Sequence, residues 1–143
     1  MEQTKIGPIE IVMGKNNSKV PFSTSLLIHN RDETALIDCW PGRKILDSIK
    51  KEKQPKHIFL THYHLDHVLG INEFPEAKVW INPYDKKKLS DLQELTVANG
   101  IYAAYGKKGS SKWIDKHIEF GRKHNRPSLY EVAKVETAVY PYD

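Results

Sequence analysis

The chain has one cysteine in 143 residues, Cys39, so an intrachain disulfide framework is excluded and a reducing compartment fits best. It has no uncharged run long enough to cross a bilayer, and Met1 to Lys5 carry no apolar core of the kind that marks a secretory leader; a soluble, cytoplasmic protein is the expectation. Internal repeats and low-complexity segments are missing as well. Neither sign of charge dominates, with 22 Lys and Arg against 18 Asp and Glu and a formal net charge of +4. The basic residues are scattered or sit on helix faces, as in Lys50-Lys51-Glu52-Lys53 and Lys86-Lys87-Lys88, without the interleaved aromatics of a nucleic-acid track. They read as a solvated surface, and nucleic acid is not the expected partner.

What is present suits a single α/β domain, since 143 residues can bury one core. Ile9-Glu10-Ile11-Val12 reads as a first strand, and Gly14 to Ser18 supplies the glycine and asparagines that a turn at positive φ needs. Residues 25–29 and 34–39 read as the next two strands around the polar turn 30–33. Their near-continuous apolar character suggests a sheet covered on both faces. Residues 43–53 place Ile45, Leu46 and Ile49 on one face of an amphipathic helix that Pro55 ends. A strand over 56–60 follows, and the order strand, helix, strand predicts a parallel pair with a right-handed crossover. Residues 78–82 read as a further strand, 83–105 as one helix with Pro83 near its start, and 110–125 as a second helix capped by Ser110 or Ser111. The stretch 129–140 is ambiguous between helix and strand.

Between these elements lies the densest chemistry in the chain, Thr61-His62-Tyr63-His64-Leu65-Asp66-His67. An extended segment puts His62 and His64, two residues apart, on the same side, so that their rings converge. Asp66 and His67 begin a helix, where neighbouring positions point in different directions and suit a second ion beside the first. Neutral imidazoles and a carboxylate are the ligands that Zn²⁺ and similar first-row ions take. Four such donors in six residues make His62, His64, Asp66 and His67 the candidate metal ligands.

This H-x-H-x-D-H run, with the strands and helix that lead into it, resembles the metal-binding loop of the metallo-β-lactamase superfamily. The resemblance implies an αββα sandwich, a mixed β-sheet with covering helices, of which this chain looks like the N-terminal half. Residues 1–82 would form the sheet core with the metal loop and 83–126 a helical insertion or cover. It implies two divalent ions, zinc foremost with iron or manganese as alternatives, His62 and His64 holding the first and Asp66 and His67 the second. Asp38 matches the family's acidic position at a strand end, where it orients a ligand histidine, and Asp66 would also handle the leaving group's proton. In the turn Cys39-Trp40-Pro41-Gly42, Cys39 reads as a small buried residue rather than a ligand.

The remaining ligands of the family pattern, a third histidine, a bridging aspartate and a last histidine, have no matching positions. His117 and His124 fall in the expected helix 110–125 and are rejected, while His29 and His57 read as structural. Tyr102, Tyr105, Trp113 and Phe120 either pack the helical pair onto the sheet or wall a substrate site. The implied activity is metal-dependent hydrolysis of a small ester, thioester, lactam or phosphodiester, weak or absent in the isolated chain. Half a sandwich leaves one sheet face bare, so a missing C-terminal half or a second chain is expected to complete it. Two other readings stay open: a non-enzymatic, metal-binding or self-associating module, and an iron-dependent redox or sulfur-handling member of the same family.

Overall fold

The computed structural model describes residues 4–123 and 135–137. Its framework is a seven-stranded sheet in sequence order: β1 (Thr4–Ile6), β2 (Ile9–Val12), β3 (Ser25–His29), β4 (Thr34–Ile37), β5 (His57–Phe59), β6 (Lys78–Ile81) and β7 (Val135–Thr137). The first four strands pair antiparallel and the last three add in parallel, which makes the sheet mixed. Two short turns, over 7–8 and 30–33, and a longer connection over 13–24 link the antiparallel strands. Gly7 stands at φ +58 between β1 and β2, and Asn16, Asn17 and Ser18 stand at φ +55 in the single coil α1 (Lys15–Ser18), positions that asparagine and glycine occupy at little steric cost. The parallel half needs crossovers, which helices provide.

Alternation along the strands divides the sheet into two faces. Leu27, Leu36, Ile58 and Val79 stand in register across β3, β4, β5 and β6 and are all buried. Against them pack Leu46 and Ile49 of α2 (Arg43–Glu52), Val68 of α3 (Leu65–Val68), and Ile71 and Phe74 in and after the 3-10 turn Ile71–Glu73. Lys50 Nζ, 3.0 Å from Glu73 Oε2, and the Arg43–Glu73 pair tie α2 to that turn. The opposite face carries a second apolar row, Ile11, Leu26, Ile37, Phe59 and Trp80, again in register. Every member of that row is only half-buried. The strands are therefore covered on one face, not both, among the described residues.

The region after β6 departs from the sequence expectation. In place of one helix over 83–105 there are α4 (Pro83–Ser90) and α5 (Leu92–Ala98), and α6 (Ile101–Lys123) replaces the helix expected over 110–125. Asp91 makes the first break, because its side chain accepts from the amides of Gln93 and Glu94 at 2.8 and 3.4 Å and so caps α5 instead of continuing α4. Gly100, at φ +71, makes the second. Ser110 caps nothing and is buried within α6, which is interrupted only at Gly106, φ +62 and ψ −170. Tyr102 and Tyr105 are exposed rather than packed on the sheet, and Trp113 stacks on His117 with ring centroids 4.8 Å apart. His124 and all of 129–140 except β7 lie outside the described residues.

One glycine sets how closely the loops approach. A Cβ on Gly70 would lie 1.9 Å from the Cys39 carbonyl oxygen and 2.7 Å from Leu46 Cδ1, so only a bare backbone lets the segment after α3 reach the turn after β4. Gly70→Ala is expected to destabilise the fold by roughly 3 kcal/mol, the upper end of overpacking costs. The midpoint of urea unfolding measures this, and an unchanged midpoint would show that the contact is not needed.

Candidate metal centre

The histidine-rich loop forms where parallel strands end. In sheets of this kind the loops beyond the carboxyl ends of the strands gather at one edge and carry the chemistry. Asp38 follows β4 at φ +53, a left-handed conformation that aspartate tolerates better than most residues. Its amide donates to the Phe59 carbonyl at 3.0 Å, and the next amide, of Cys39, donates to the His67 carbonyl at 2.7 Å. The chain after β4 is thereby stitched first to β5 and then to the histidine loop.

That turn aims the Asp38 side chain inward, where it is buried. Its Oδ1 accepts from the Thr61 amide at 2.9 Å, and both carboxylate oxygens lie within hydrogen-bond distance of the Thr61 hydroxyl, at 3.0 and 2.8 Å. Oδ2 is also 2.8 Å from His67 Nδ1. That approach is close enough for strong attraction but off the line of a good hydrogen bond, and Nδ1 has no aligned partner. The Thr61 hydroxyl in turn stands 3.0 Å from His62 Nδ1.

The structure gathers three of the expected ligand rings. His62 lies 4.6 Å from His64 and 4.1 Å from His67, centroid to centroid. Asp66 Oδ2 is 3.5 Å from His67 Nε2. His64 occupies the position ahead of α3, and its carbonyl accepts from the His67 amide at 3.0 Å, which folds Asp66 and His67 back towards His62. Loss of water contact pushes the His62 pKa down, and the neighbouring His67 and His64 add to this against the pull of Asp38 and Asp66. A neutral imidazole is the form that binds a metal ion. Chemically the donor set fits a divalent ion. Among the described residues, though, no three His, Cys, Asp or Glu side chains are drawn together as a ready-made cage.

The other histidines and the cysteine have different surroundings. His57 Nδ1 accepts from Trp80 Nε1 at 3.0 Å, and His29 Nε2 lies 3.1 Å from Glu10 Oε2. Both contacts hold strands together. Cys39 is fully buried, and burial, then Asp38 and Glu73, push its thiol pKa well up, away from the thiolate that a metal takes.

Sequence reading gave no role to Thr61 or to the residues that join the loop to the cover helices. Lys88 Nζ sits 4.5 Å from the centre of the Tyr63 ring, and the Tyr63 hydroxyl donates to the Ala98 carbonyl at 3.4 Å. Lys88 also pairs with Asp85, which Asn82 Nδ2 contacts at 2.9 Å. Burial alone would raise the Asp85 pKa, but hydrogen bonds from Lys88 and Asn82, the Lys88 charge and nearby His62 hold it below its ordinary value. The signal in the sequence was Tyr63 itself, a large aromatic between two candidate ligand histidines.

If Asp38 orients these side chains, Asp38→Asn should leave the fold intact while lowering zinc affinity about 10- to 100-fold, the usual cost of losing a group that supports a ligand. Competition with a chromophoric chelator measures it, and unchanged affinity would remove Asp38 from the site.

Comparison with known proteins bears on the family and the fold. The sequence model of the Metallo-beta-lactamase superfamily matches residues 19–124. A hydroxyacylglutathione hydrolase of Citrobacter koseri is 37% identical over 60 residues, which cover 38% of this chain and 24% of that protein. Among solved structures, a Cronobacter sakazakii metallo-beta-lactamase superposes with a TM-score of 0.50 at 20% identity, over 63% of this chain and 38% of its own. A subclass B3 metallo-beta-lactamase from a soil metagenome library gives 0.48 at 24%, over 63% and 36%. The chain thus spans well under half the length of these relatives.

Proposed function

Because the chain belongs to the metallo-beta-lactamase superfamily, whose sequence model matches residues 19–124, we propose that it carries the histidine-loop half of a two-ion hydrolase site. The observation that carries this reading is the Asp38 carboxylate, which holds Thr61 beside His62 and faces His67 at 2.8 Å. A lone acid–histidine contact also occurs between strands, as Glu10 with His29; what supports a metal site here is that the acid sits beside a loop with three histidine rings. His62 and His64 would hold one ion, Asp66 and His67 the other; zinc suits the set best and iron or manganese are tolerated by it. When bound, such ions supply Lewis acidity and make water acidic enough to deprotonate near neutral pH.

The residues of this chain then have distinct tasks. Asp38 and Thr61 fix ring orientation, and the short span from His62 to His67 keeps both pairs of ligands within one loop. Asp66 would also take up and return a proton as the leaving group departs. Tyr63, Lys88 and Ala98 hold the cover helices against the loop, so α4 and α5 form one wall of the approach. The substrate would be a small ester, thioester, lactam or phosphodiester. The resemblance to a hydroxyacylglutathione hydrolase puts thioesters first.

The half-buried row Ile11, Leu26, Ile37, Phe59 and Trp80 supports a second part of the proposal. An apolar sheet face of this kind is stable when another sheet packs on it. A longer form of the chain or a second chain would supply that sheet together with the remaining ion ligands. The single cysteine suits a cytoplasmic setting for such a protein.

The test is hydrolysis by the chain alone and by a form extended to the length of its relatives, on a thioester, a lactone, a lactam and a phosphodiester, with and without chelator. Chelator-sensitive turnover by the extended form, and little by the chain alone, is expected. Turnover that survives full metal removal would contradict the reading, and metal binding without turnover in both forms would identify a binding module.

A further inference from the structure

Thr61 stands at the surface, yet its hydroxyl is within hydrogen-bond distance of three polar atoms: Asp38 Oδ1 at 3.0 Å, Asp38 Oδ2 at 2.8 Å and His62 Nδ1 at 3.0 Å. A hydroxyl has one proton to give and two lone pairs to receive. An ionised carboxylate only accepts. If the proton pointed at His62, the hydroxyl oxygen would face both Asp38 oxygens with no hydrogen between them, an arrangement that is repulsive at these distances. The proton therefore goes to Asp38. Towards His62 the oxygen can then only accept, so Nδ1 must carry the ring hydrogen and Nε2 must carry the free lone pair.

Resting on the metal reading above, we infer that Thr61 is a positioning residue that relays the Asp38 carboxylate to His62, fixing the Nδ1–H tautomer and leaving Nε2 as the metal-binding atom. The same carboxylate faces His67 Nδ1 directly at 2.8 Å. That approach is off the line of a hydrogen bond, so the aligned path from this acid to a ring nitrogen is the one to His62 through the hydroxyl. The amide of Thr61 donates to Oδ1 at 2.9 Å, so the residue is held at two points and the hydroxyl cannot turn away from Asp38 without losing a charge-assisted bond. A β-branched side chain restricts that rotation further. Thr61→Val keeps the shape and the amide contact while removing the hydroxyl, and with it both the relay and the hydroxyl's bond to Asp38. Thr61→Ser keeps the relay with a freer rotor.

Two readouts separate the relay from the metal reading. Long-range nitrogen–proton NMR of the metal-free protein reports which ring nitrogen of His62 bears hydrogen, and chelator competition reports zinc affinity. The wild type is expected to show His62 protonated at Nδ1. In Thr61→Val that preference is lost while His67 is unchanged, and zinc affinity drops about 10- to 100-fold. Thr61→Ser is expected to restore the tautomer and most of the affinity. A wild-type His62 with its hydrogen on Nε2 overturns the inference, whether or not Thr61→Val folds. So does a folded Thr61→Val that keeps both the Nδ1–H form and wild-type affinity. A wild type with the expected tautomer that binds no zinc would leave the relay standing and sink the metal reading instead.

Discussion

The site depends on one buried carboxylate. Asp38 is almost fully shielded from water, and a buried charge of this kind is costly unless polar groups surround it. Here the amide and hydroxyl of Thr61 do so, with the ring nitrogen of His67 close by at 2.8 Å but off the hydrogen-bond line. These groups come from both ends of the histidine loop. Satisfying the charge therefore fixes the loop, and the left-handed backbone at Asp38 is the local strain accepted for that placement.

The rest of the architecture supports this arrangement. Parallel pairing of β4 with β5 brings the end of one strand beside the start of the loop, and the Asp38 and Cys39 amides extend the contact past the strand ends. The glycine at position 70 lets the segment after α3 lie against the Cys39 carbonyl, and α2 seals the same turn from beneath. Helix α4 is anchored in the core through the buried Leu89, and the cover helices meet the loop itself through Tyr63, Lys88 and one long hydrogen bond to Ala98.

Much of this was legible in the sequence. The strands over 9–12 and 25–29, the strand expected over 34–39 that ends at Ile37 where Asp38 turns left-handed, the amphipathic α2 and the strand leading into the loop follow from periodicity and turn residues, which are local signals. The spacing of His62 and His64 gave their convergence; that His67 comes closer to His62, at 4.1 Å between centroids against 4.6 Å for His64, was not expected from it. Thr61 was not legible as a relay, because its partner Asp38 lies 23 residues away and no spacing rule reaches that far. The helix breaks were missed for a different reason: Asp91 and Gly100 sit inside a run of good helix formers, and whether an aspartate caps or continues a helix depends on tertiary contacts. β1 was overlooked because three exposed residues carry no apolar pattern. The half-open sheet face follows from which helices come to lie on which side.

The central claim is that the loop from His62 to His67 is a metal site. Elemental analysis of protein dialysed against trace zinc tests it most directly, with the paired substitutions His62→Ala/His64→Ala and Asp66→Ala/His67→Ala alongside the wild type. The account predicts zinc retained by the wild type and reduced in each pair, with all three proteins folded. A folded wild type that retains no more zinc than either pair would contradict it.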